Sequence, residues 1–465
     1  MSSQQTAYMP ALEMLKHFQS GSLSPVEVAQ SALERIASLN DEYGVFITVT
    51  EDRALAAAKV AEEAYRKGEA IGAVAGVPVG IKDLTPTKGV RTTMGSLLHE
   101  HDVPDESAPE VERLNTAGMV MIGKTNTPEF GWKGDSGNRI LGPTRNPWDR
   151  SRTAGGSSGG AGAAVALGIC PLAQGSDGAG SIRIPSSFCG IFGLKPSTGL
   201  VPRYPSRIPP YSHVGPMTRT VRDAALLLTV TAGSDPRDRY SWDSGIDYLS
   251  ELRTEVKGLK VAWSPDLGYA NVHPEVSELS AAAARRFEDL GCEVSQDHPK
   301  TGDPWPIMEV IFMMSQLESH IDDFEDVRSK LDPGRVTLLD RARRVTGERF
   351  LRALRDWDRY YHEVRTFMDG YDLLLTPTIA TTPFAAGEDK PGTINGKSTT
   401  YLGWTGFSYP FNLTGQPAAS VPCGFTASGL PVGLQIVGRH RDDLTVLNAA
   451  AAFEEANPWS DFRPL

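Results

Sequence analysis

An α/β fold with a large mixed, mostly parallel β-sheet sandwiched by helices is what this sequence predicts, on two observations. Short apolar segments of strand character, such as residues 76–83 (GVPVGIKD) and 433–438 (GLQIVG), alternate with capped helical segments such as residues 24–36. The second observation is the stretch 152–185, RTAGGSSGGAGAAVALGICPLAQGSDGAGSIRIP, the densest in glycine and serine. Linkers of that composition do not alternate with apolar segments, so its two glycine clusters, 155–160 and 177–181, read as turns joined by packed structure. No repeat, heptad pattern or long linker divides the chain, and one domain, 1–465, is expected.

Each element then has its own warrant. Ser24-Pro25-Val26-Glu27 is a capping box with proline at the first helical position, and Val26, Ala29, Leu33 and Ile36 follow on one face. Residues 45–49 read as a strand and residues 53–65, rich in Ala, Glu and Lys, as a helix. In the strand at 76–83, period-two alternation puts Val79, Ile81 and Asp83 on one side and Gly80 and Lys82 on the other. Gly118 to Thr125 satisfies the phosphate-loop pattern GxxxxGK[ST], yet Met119 to Ile122 is an apolar run that reads as a buried strand. Residues 161–169 favour a buried helix, with 170–173 extending toward the second glycine cluster. Helices follow at 220–228, 274–290 and 348–368, and strands at 260–263, 372–378 and 433–438. The stripe Phe350, Leu354, Trp357, Tyr361 and Val364 on the long helix reads as core.

Composition narrows the function. Lys and Arg number 46 against 57 Asp and Glu, a net charge of −11 with no basic block, so a polyanion is disfavoured and no nucleic acid partner is expected. Cys170, Cys189, Cys292 and Cys423 are scattered without ligand spacing and read as buried thiols, with no metal and no cofactor expected. The N-terminus lacks a signal-peptide pattern and no apolar run reaches membrane-spanning length, so the expectation is a cytoplasmic protein with no membrane partner. Self-association as a homodimer is allowed for.

Serine needs a base before it becomes a nucleophile. Gly155-Gly156-Ser157-Ser158-Gly159 matches the elbow GxSxG, but no downstream histidine sits in a suitable loop and no HGGG segment precedes it. A neutral lysine can serve instead, and Lys82, on an apolar strand, is the best placed by environment. Lys124 and Lys195 are alternatives that each follow their own turn.

GIKD around Lys82, AGGSSGGAGAAVA around Ser157 and GSDGAGSIRIPSSFCGIFGLKPSTG from Gly175 resemble the amidase signature family. So do GKTNTPEFG from Gly123, GPTRNPWD from Gly142, SHVGPMTRTVRDAALLL from Ser212 and, more faintly, GLPVGLQIVGR from Gly429. The signature core spans about 76–232. The resemblance implies the amidase signature fold and a triad of Ser181 as nucleophile, Ser157 as proton relay after a cis peptide bond, and Lys82 as base. Backbone N–H groups of Gly178, Ala179 and Gly180, with that of Ser181, would then form the oxyanion hole. Ser158 is expected to orient Lys82, and Asp177 and Arg183 to form an ion pair shaping the loop. Two residues depart from the commonest family pattern: Ala154 stands where proline is usual and Ala179 where glycine is usual. The implied activity is hydrolysis of an amide C–N bond through an acyl-serine, extending to aryl amides, carbamates and esters. The other implied reading is a glutamine-hydrolysing A subunit of a tRNA-dependent amidotransferase. Substrate contacts are expected at Phe130, Trp132, Arg207, Tyr211 and Trp404, aromatic and mostly uncharged, so the expected partner is a small-molecule amide or carbamate. The loop RYPSRIPPYS from Arg203 reads as a lid.

Overall fold

The computed structural model describes residues 6–206 and 208–464. After helix α1 (Ala11–Ser20), helix α2 (Pro25–Tyr43) opens with the expected capping box: the Ser24 hydroxyl accepts from the Val26 and Glu27 N–H groups, and the Glu27 carboxylate accepts from the Ser24 N–H. Strand β1 (Phe46–Val49) and helix α3 (Glu51–Lys67) follow, then β2 (Pro78–Lys82), α4 (Pro109–Thr116) and β3 (Val120–Thr125). The glycine-rich stretch folds as α5 (Gly159–Ala166), β4 (Leu172–Asp177) and α6 (Arg183–Cys189), and from Thr153 to Pro185 it is buried except at half-buried Gly178 and Ser181. Next come β5 (Phe192–Lys195), β6 (His213–Thr218), α7 (Val221–Thr231), β7 (Lys260–Trp263), α8 (Pro274–Asp289) and β8 (Glu293–Gln296). The C-terminal part adds α9 (Trp305–Glu318), α10 (Gly347–Met368), β9 (Leu373–Pro377), a small ribbon of β10 (Thr393–Ile394) and β11 (Lys397–Ser398), then β12 (Ala418–Phe425), β13 (Pro431–Gly438) and α11 (Asp443–Ala456).

Eleven of these strands, among the described residues, form one mixed sheet in the order β1-β3-β2-β4-β6-β5-β12-β13-β9-β7-β8. Parallel ladders join β3, β2 and β4 at one flank and β9, β7 and β8 at the other. A parallel pair needs a crossover, and α4, α5 and α8 supply three of them. Antiparallel ladders run through the centre and attach β1 at the edge.

Alternation along the strands feeds separate cores on the two faces. Val120 and Ile122 pack with Ile36 of α2 and Ala164 of α5, whereas Val79, Ile81 and Met121 pack with Leu226 and Leu227 of α7. Each such aliphatic side chain contributes about 1.5–3 kcal/mol when fully buried. Lys82, out of phase with Val79 and Ile81, therefore emerges on the face that α5 covers, which is where the serine-rich turn lies.

The run from Met119 to Ile122 is buried strand and its approach, as its apolar character predicts. The Lys124 ammonium donates to the hydroxyls of Thr87 and Thr92, at 3.0 and 3.1 Å, and to the Thr85 carbonyl. The stripe on α10 is core only in part. Ala353, Tyr360, Val364 and Met368 are its buried residues, Phe350, Leu354 and Trp357 pack half-buried beside them, and Tyr361 turns aside to lie edge-on to His440. Four-residue and seven-residue spacings drift on a 3.6-residue helix, which is why the stripe and the buried face diverge.

Candidate active site

Lys82 is the last residue of β2 and is fully buried. Its side-chain nitrogen lies 2.7 Å from Ser157 Oγ, 2.7 Å from Ser158 Oγ and 3.1 Å from Ser176 Oγ. Three hydroxyls converging on one buried nitrogen mark a built site, because a buried polar group without partners is costly. Ser157 and Ser158 lead into α5, while Ser176 stands on β4, so two elements and a turn hold the lysine tip.

Close approach of backbones makes this possible. The Gly156–Ser157 peptide bond is cis, as expected, and a Cβ on Gly156 would lie 2.9 Å from the backbone of Asp135. Ser136 fastens the turn: its hydroxyl donates to the Gly155 carbonyl at 2.9 Å and accepts from the Gly159 N–H at 2.8 Å. Ala154, the first departure from the family pattern, donates its N–H to the Thr144 carbonyl at 3.1 Å, a bond that proline could not make.

Ser181 follows β4 in the second glycine cluster and is half-buried, its carbonyl accepting from the Ser158 N–H at 3.1 Å. No hydrogen bond joins the Ser157 and Ser181 hydroxyls in this arrangement. In the loop before Ser181 the positive φ falls on Gly180, at 120°, where a side chain would collide with Ser408. Ala179, the second departure, has no positive φ and so needs no glycine conformation. The Gly180 N–H donates to Asp177 Oδ1 at 2.7 Å, so Gly180 is occupied as an oxyanion donor here. Gly178, Ala179 and Ser181 have no such acceptor for their N–H groups among the described residues.

Asp177 and Arg183 form the expected ion pair, both fully buried, at 2.9 Å. Arg183 uses every N–H it has: Nε and Nη2 reach Asp177, Nη1 reaches the Ser408 carbonyl and Gln435 Oε1, and Nη2 also reaches Asn412 Oδ1. Burial alone would raise the Asp177 carboxyl, but the Arg183 guanidinium, the Asn412 amide and Lys195 outweigh it and hold the carboxyl well below the usual carboxylate range. Behind this pair, burial pushes the Lys195 amine down to about 7, and burial keeps His213 well below its ordinary value.

A cavity of about 340 Å3 has Ser176, Thr85, Met94, Phe130, Glu110 and Arg203 in its walls; Ser176 touches Lys82, whereas Lys82, Ser157 and Ser181 are not themselves wall residues. Tyr204, Pro205 and Ser206, from the loop expected to act as a lid, line it too. Of the expected substrate contacts, Phe130 is in the wall, packed between His99 and His320. Trp132 and Trp404 are not wall residues of this cavity. Trp132 stacks on Tyr401, and Trp404 packs on Phe188 and Phe384 in the core, since a large buried ring satisfies itself best among other side chains. Tyr211 is buried against Gly178 and Phe312 and supports the loop from behind. Arg207 lies outside the described residues.

Sequence reasoning missed Ser176, Ser136, Gln435 and Asn412. Ser176 had a usable signal: five residues before Ser181, it stands inside the same quoted motif. Gln435 lies in the C-terminal echo GLPVGLQIVGR, whereas Asn412 had no local signal. Among the described residues no group of three His, Cys, Asp or Glu is arranged to hold a metal ion, and no helix is long and apolar enough to cross a membrane. Cys170, Cys189 and Cys292 are buried free thiols and Cys423 is half-buried.

A buried lysine among serines at the end of a mixed α/β sheet agrees with comparison to known proteins: the amidase family model matches residues 27–447, and the chain belongs to the amidase signature family. Amide hydrolysis is the class of activity this membership carries. An acylamidase of Rhodococcus erythropolis is 40% identical over 471 residues, covering 100% of this chain and 98% of its own. The A subunit of the glutamyl-tRNA(Gln) amidotransferase of Thermosynechococcus vestitus is 36% identical over 470 residues, covering 95% and 96%. Among solved structures, a bacterial aryl acylamidase of the amidase signature family superimposes with a TM-score of 0.91 at 32% identity, covering 97% of each chain. A 6-aminohexanoate cyclic dimer hydrolase in complex with substrate gives 0.90 at 30% identity, covering 98% and 99%.

Proposed function

We propose that this protein hydrolyses small-molecule amides through a covalent acyl-serine on Ser181, with Ser157 as proton relay and Lys82 as base. The observation that carries the reading is the fully buried Lys82 nitrogen held at 2.7 Å from Ser157 Oγ, next to a loop that offers the Ser181 hydroxyl and unpaired N–H groups together.

The cycle begins with the unprotonated Lys82 amine. It accepts the Ser157 proton while Ser157 accepts that of Ser181, whose Oγ turns toward the relay and bonds to the substrate carbonyl carbon. Hydroxyl rotors are free to make that turn, and catalytic hydrogen bonds tighten when substrate is bound. The carbonyl π pair moves onto oxygen, where the N–H groups of Gly178, Ala179 and Ser181 receive it, each donor of this kind being worth about 2.7–4 kcal/mol. Collapse reforms the carbonyl and breaks the C–N bond as Ser157 passes its proton to the departing amine and takes one back from the protonated Lys82, which is neutral again for the next step. Water then attacks the acyl-serine by the same relay and frees Ser181. Aryl amides, carbamates and esters present a carbonyl open to the same attack. The aromatic Phe130 in the cavity wall and the acylamidase and aryl acylamidase relatives support small, partly apolar amides as the substrate class.

Similarity to amidotransferase A subunits over 95% of the chain favours a second reading, glutamine hydrolysis on behalf of a partner protein. A panel of p-nitroanilides, primary amides, carbamates and glutamine on wild type and Ser181→Ala separates them. Wild type is expected to cleave anilides alone, without a partner, and Ser181→Ala to lose about 10³-fold or more in kcat. Anilide hydrolysis unchanged in Ser181→Ala would overturn the assignment.

A further inference from the structure

An oxyanion hole works only if its N–H groups are aimed before charge develops on the substrate, so whatever fixes their direction matters to the rate. In a trans peptide the carbonyl and the following N–H point opposite ways, and Asp177–Gly178 is not among the cis bonds of the described residues. What holds the Asp177 carbonyl therefore sets where the Gly178 N–H points. That carbonyl lies 2.9 Å from the Asn412 amide nitrogen and 3.2 Å from His213 Nδ1. Both side chains are buried, at 1% and 4% exposure, whereas Gly178 and Ser181 are the two half-buried positions of residues 177–181.

Other partners fix both donors. Asn412 Oδ1 accepts from Arg183 Nη2 at 2.7 Å, and a guanidinium only donates, so the amide nitrogen faces Asp177. His213 Nε2 lies 2.9 Å from the Thr198 hydroxyl, which can donate to it and leave the ring proton on Nδ1 for the carbonyl. The 3.4 Å approach of the Asn412 amide to Nδ1 is longer than either contact with the carbonyl. Asn412 also donates to Asp177 Oδ1 at 2.9 Å, so one of its bonds serves the ion pair and the other the peptide. His213 reaches the carbonyl but neither the Asp177 carboxylate nor Arg183 among the described residues, so the ion pair does not account for it. The Ser181 N–H is set locally, because its peptide carbonyl, that of Gly180, accepts the Ile184 N–H at 2.6 Å within the same turn. Gly178 depends instead on side chains 36 and 235 positions away from Asp177.

Resting on the catalytic reading above, we propose that Asn412 and His213 are positioning residues of the oxyanion hole: by holding the Asp177 carbonyl they aim the Gly178 N–H at the substrate oxygen as it takes up charge. No bond forms or breaks at either side chain; each acts through a donor oriented in advance of the tetrahedral state. Burial keeps the His213 ring neutral, so its single proton can stay on Nδ1 and serve the carbonyl.

The test replaces the attacked carbonyl oxygen by sulfur, a weak hydrogen-bond acceptor, in a p-nitroanilide and in the matching p-nitrophenyl ester. The readout is the oxygen-to-sulfur ratio of kcat/KM, which cancels losses that do not act through the hole. Wild type is expected to favour oxygen by about 10²-fold or more. His213→Phe and Asn412→Leu should each lower that ratio by about tenfold or more, through kcat, with KM for the oxygen substrate little changed. Gln435→Leu, which takes a partner from Arg183 and leaves the Asp177 carbonyl alone, should keep the wild-type ratio. His213→Phe decides alone if Asn412→Leu does not fold. A wild-type ratio in either variant that folds, or a fall in Gln435→Leu as large as in His213→Phe, would overturn the proposal while the catalytic reading stands. No turnover by wild type, or no preference for oxygen, would overturn the catalytic reading and this assignment with it.

Discussion

At the scale of single residues, the site is governed by which buried polar groups find partners. Lys82 is surrounded by hydroxyls, whereas Asp177 is surrounded by donors: Arg183, the Asn412 amide and the N–H groups of Gly180 and Ile182. The depressed Asp177 carboxyl has a stability consequence with a definite sign. Its contribution is fully present above its unfolded value of about 3.9 and is lost as pH falls through the lower folded value. Asp177→Asn is therefore expected to cost about 3–5 kcal/mol near neutral pH, since it leaves Arg183 as a buried charge without its counter-ion. Urea unfolding across a pH series should show the gap from wild type narrowing below about pH 3.9. A gap that stays constant well below pH 3.9 would contradict this account of the pair.

Secondary-structure elements here are tied down by residues distant in sequence. Helix α1 begins without a side-chain cap of its own, yet its first two N–H groups, of Ala11 and Leu12, donate to the Asp223 carboxylate of α7 at 2.8 and 3.1 Å. Asp223→Ala removes that cap and is expected to cost about 1–2 kcal/mol, appearing in hydrogen exchange as faster exchange across α1 with the central strands unchanged. Unaltered α1 protection would show that packing of Met14 and Phe18 alone holds the helix. The same dependence on distant partners explains what was legible in the sequence. Period-two alternation placed Lys82 opposite Val79 and Ile81 correctly, and the capping box at Ser24 gave the start of α2, because both signals are local. Tertiary assignments were not local. Trp132 and Trp404 read as pocket aromatics from composition, but ring burial depends on what packs against them, here Tyr401, Phe188 and Phe384.

Across the whole molecule, the site draws on far-separated parts of the chain. Lys82, Ser157, Ser176 and Ser181 come from the signature core, but Arg183 is held by Ser408, Asn412 and Gln435 from the C-terminal part. The single sheet runs through both, with β5 of the core paired to β12. Through it the C-terminal part supplies the partners that hold Arg183, just after the second glycine cluster. That dependence also explains why local motifs singled out Lys82, Ser157 and Ser181 while the shape of their surroundings did not follow from them. The most direct measurement of the central claim is peptide mass mapping of wild-type protein quenched during turnover of an activated amide, with Ser181→Ala alongside. The account predicts an acyl adduct on the peptide carrying Ser181, absent in Ser181→Ala. An adduct confined to Ser157 or Ser158, or turnover with no acyl-serine at any time point, would contradict it.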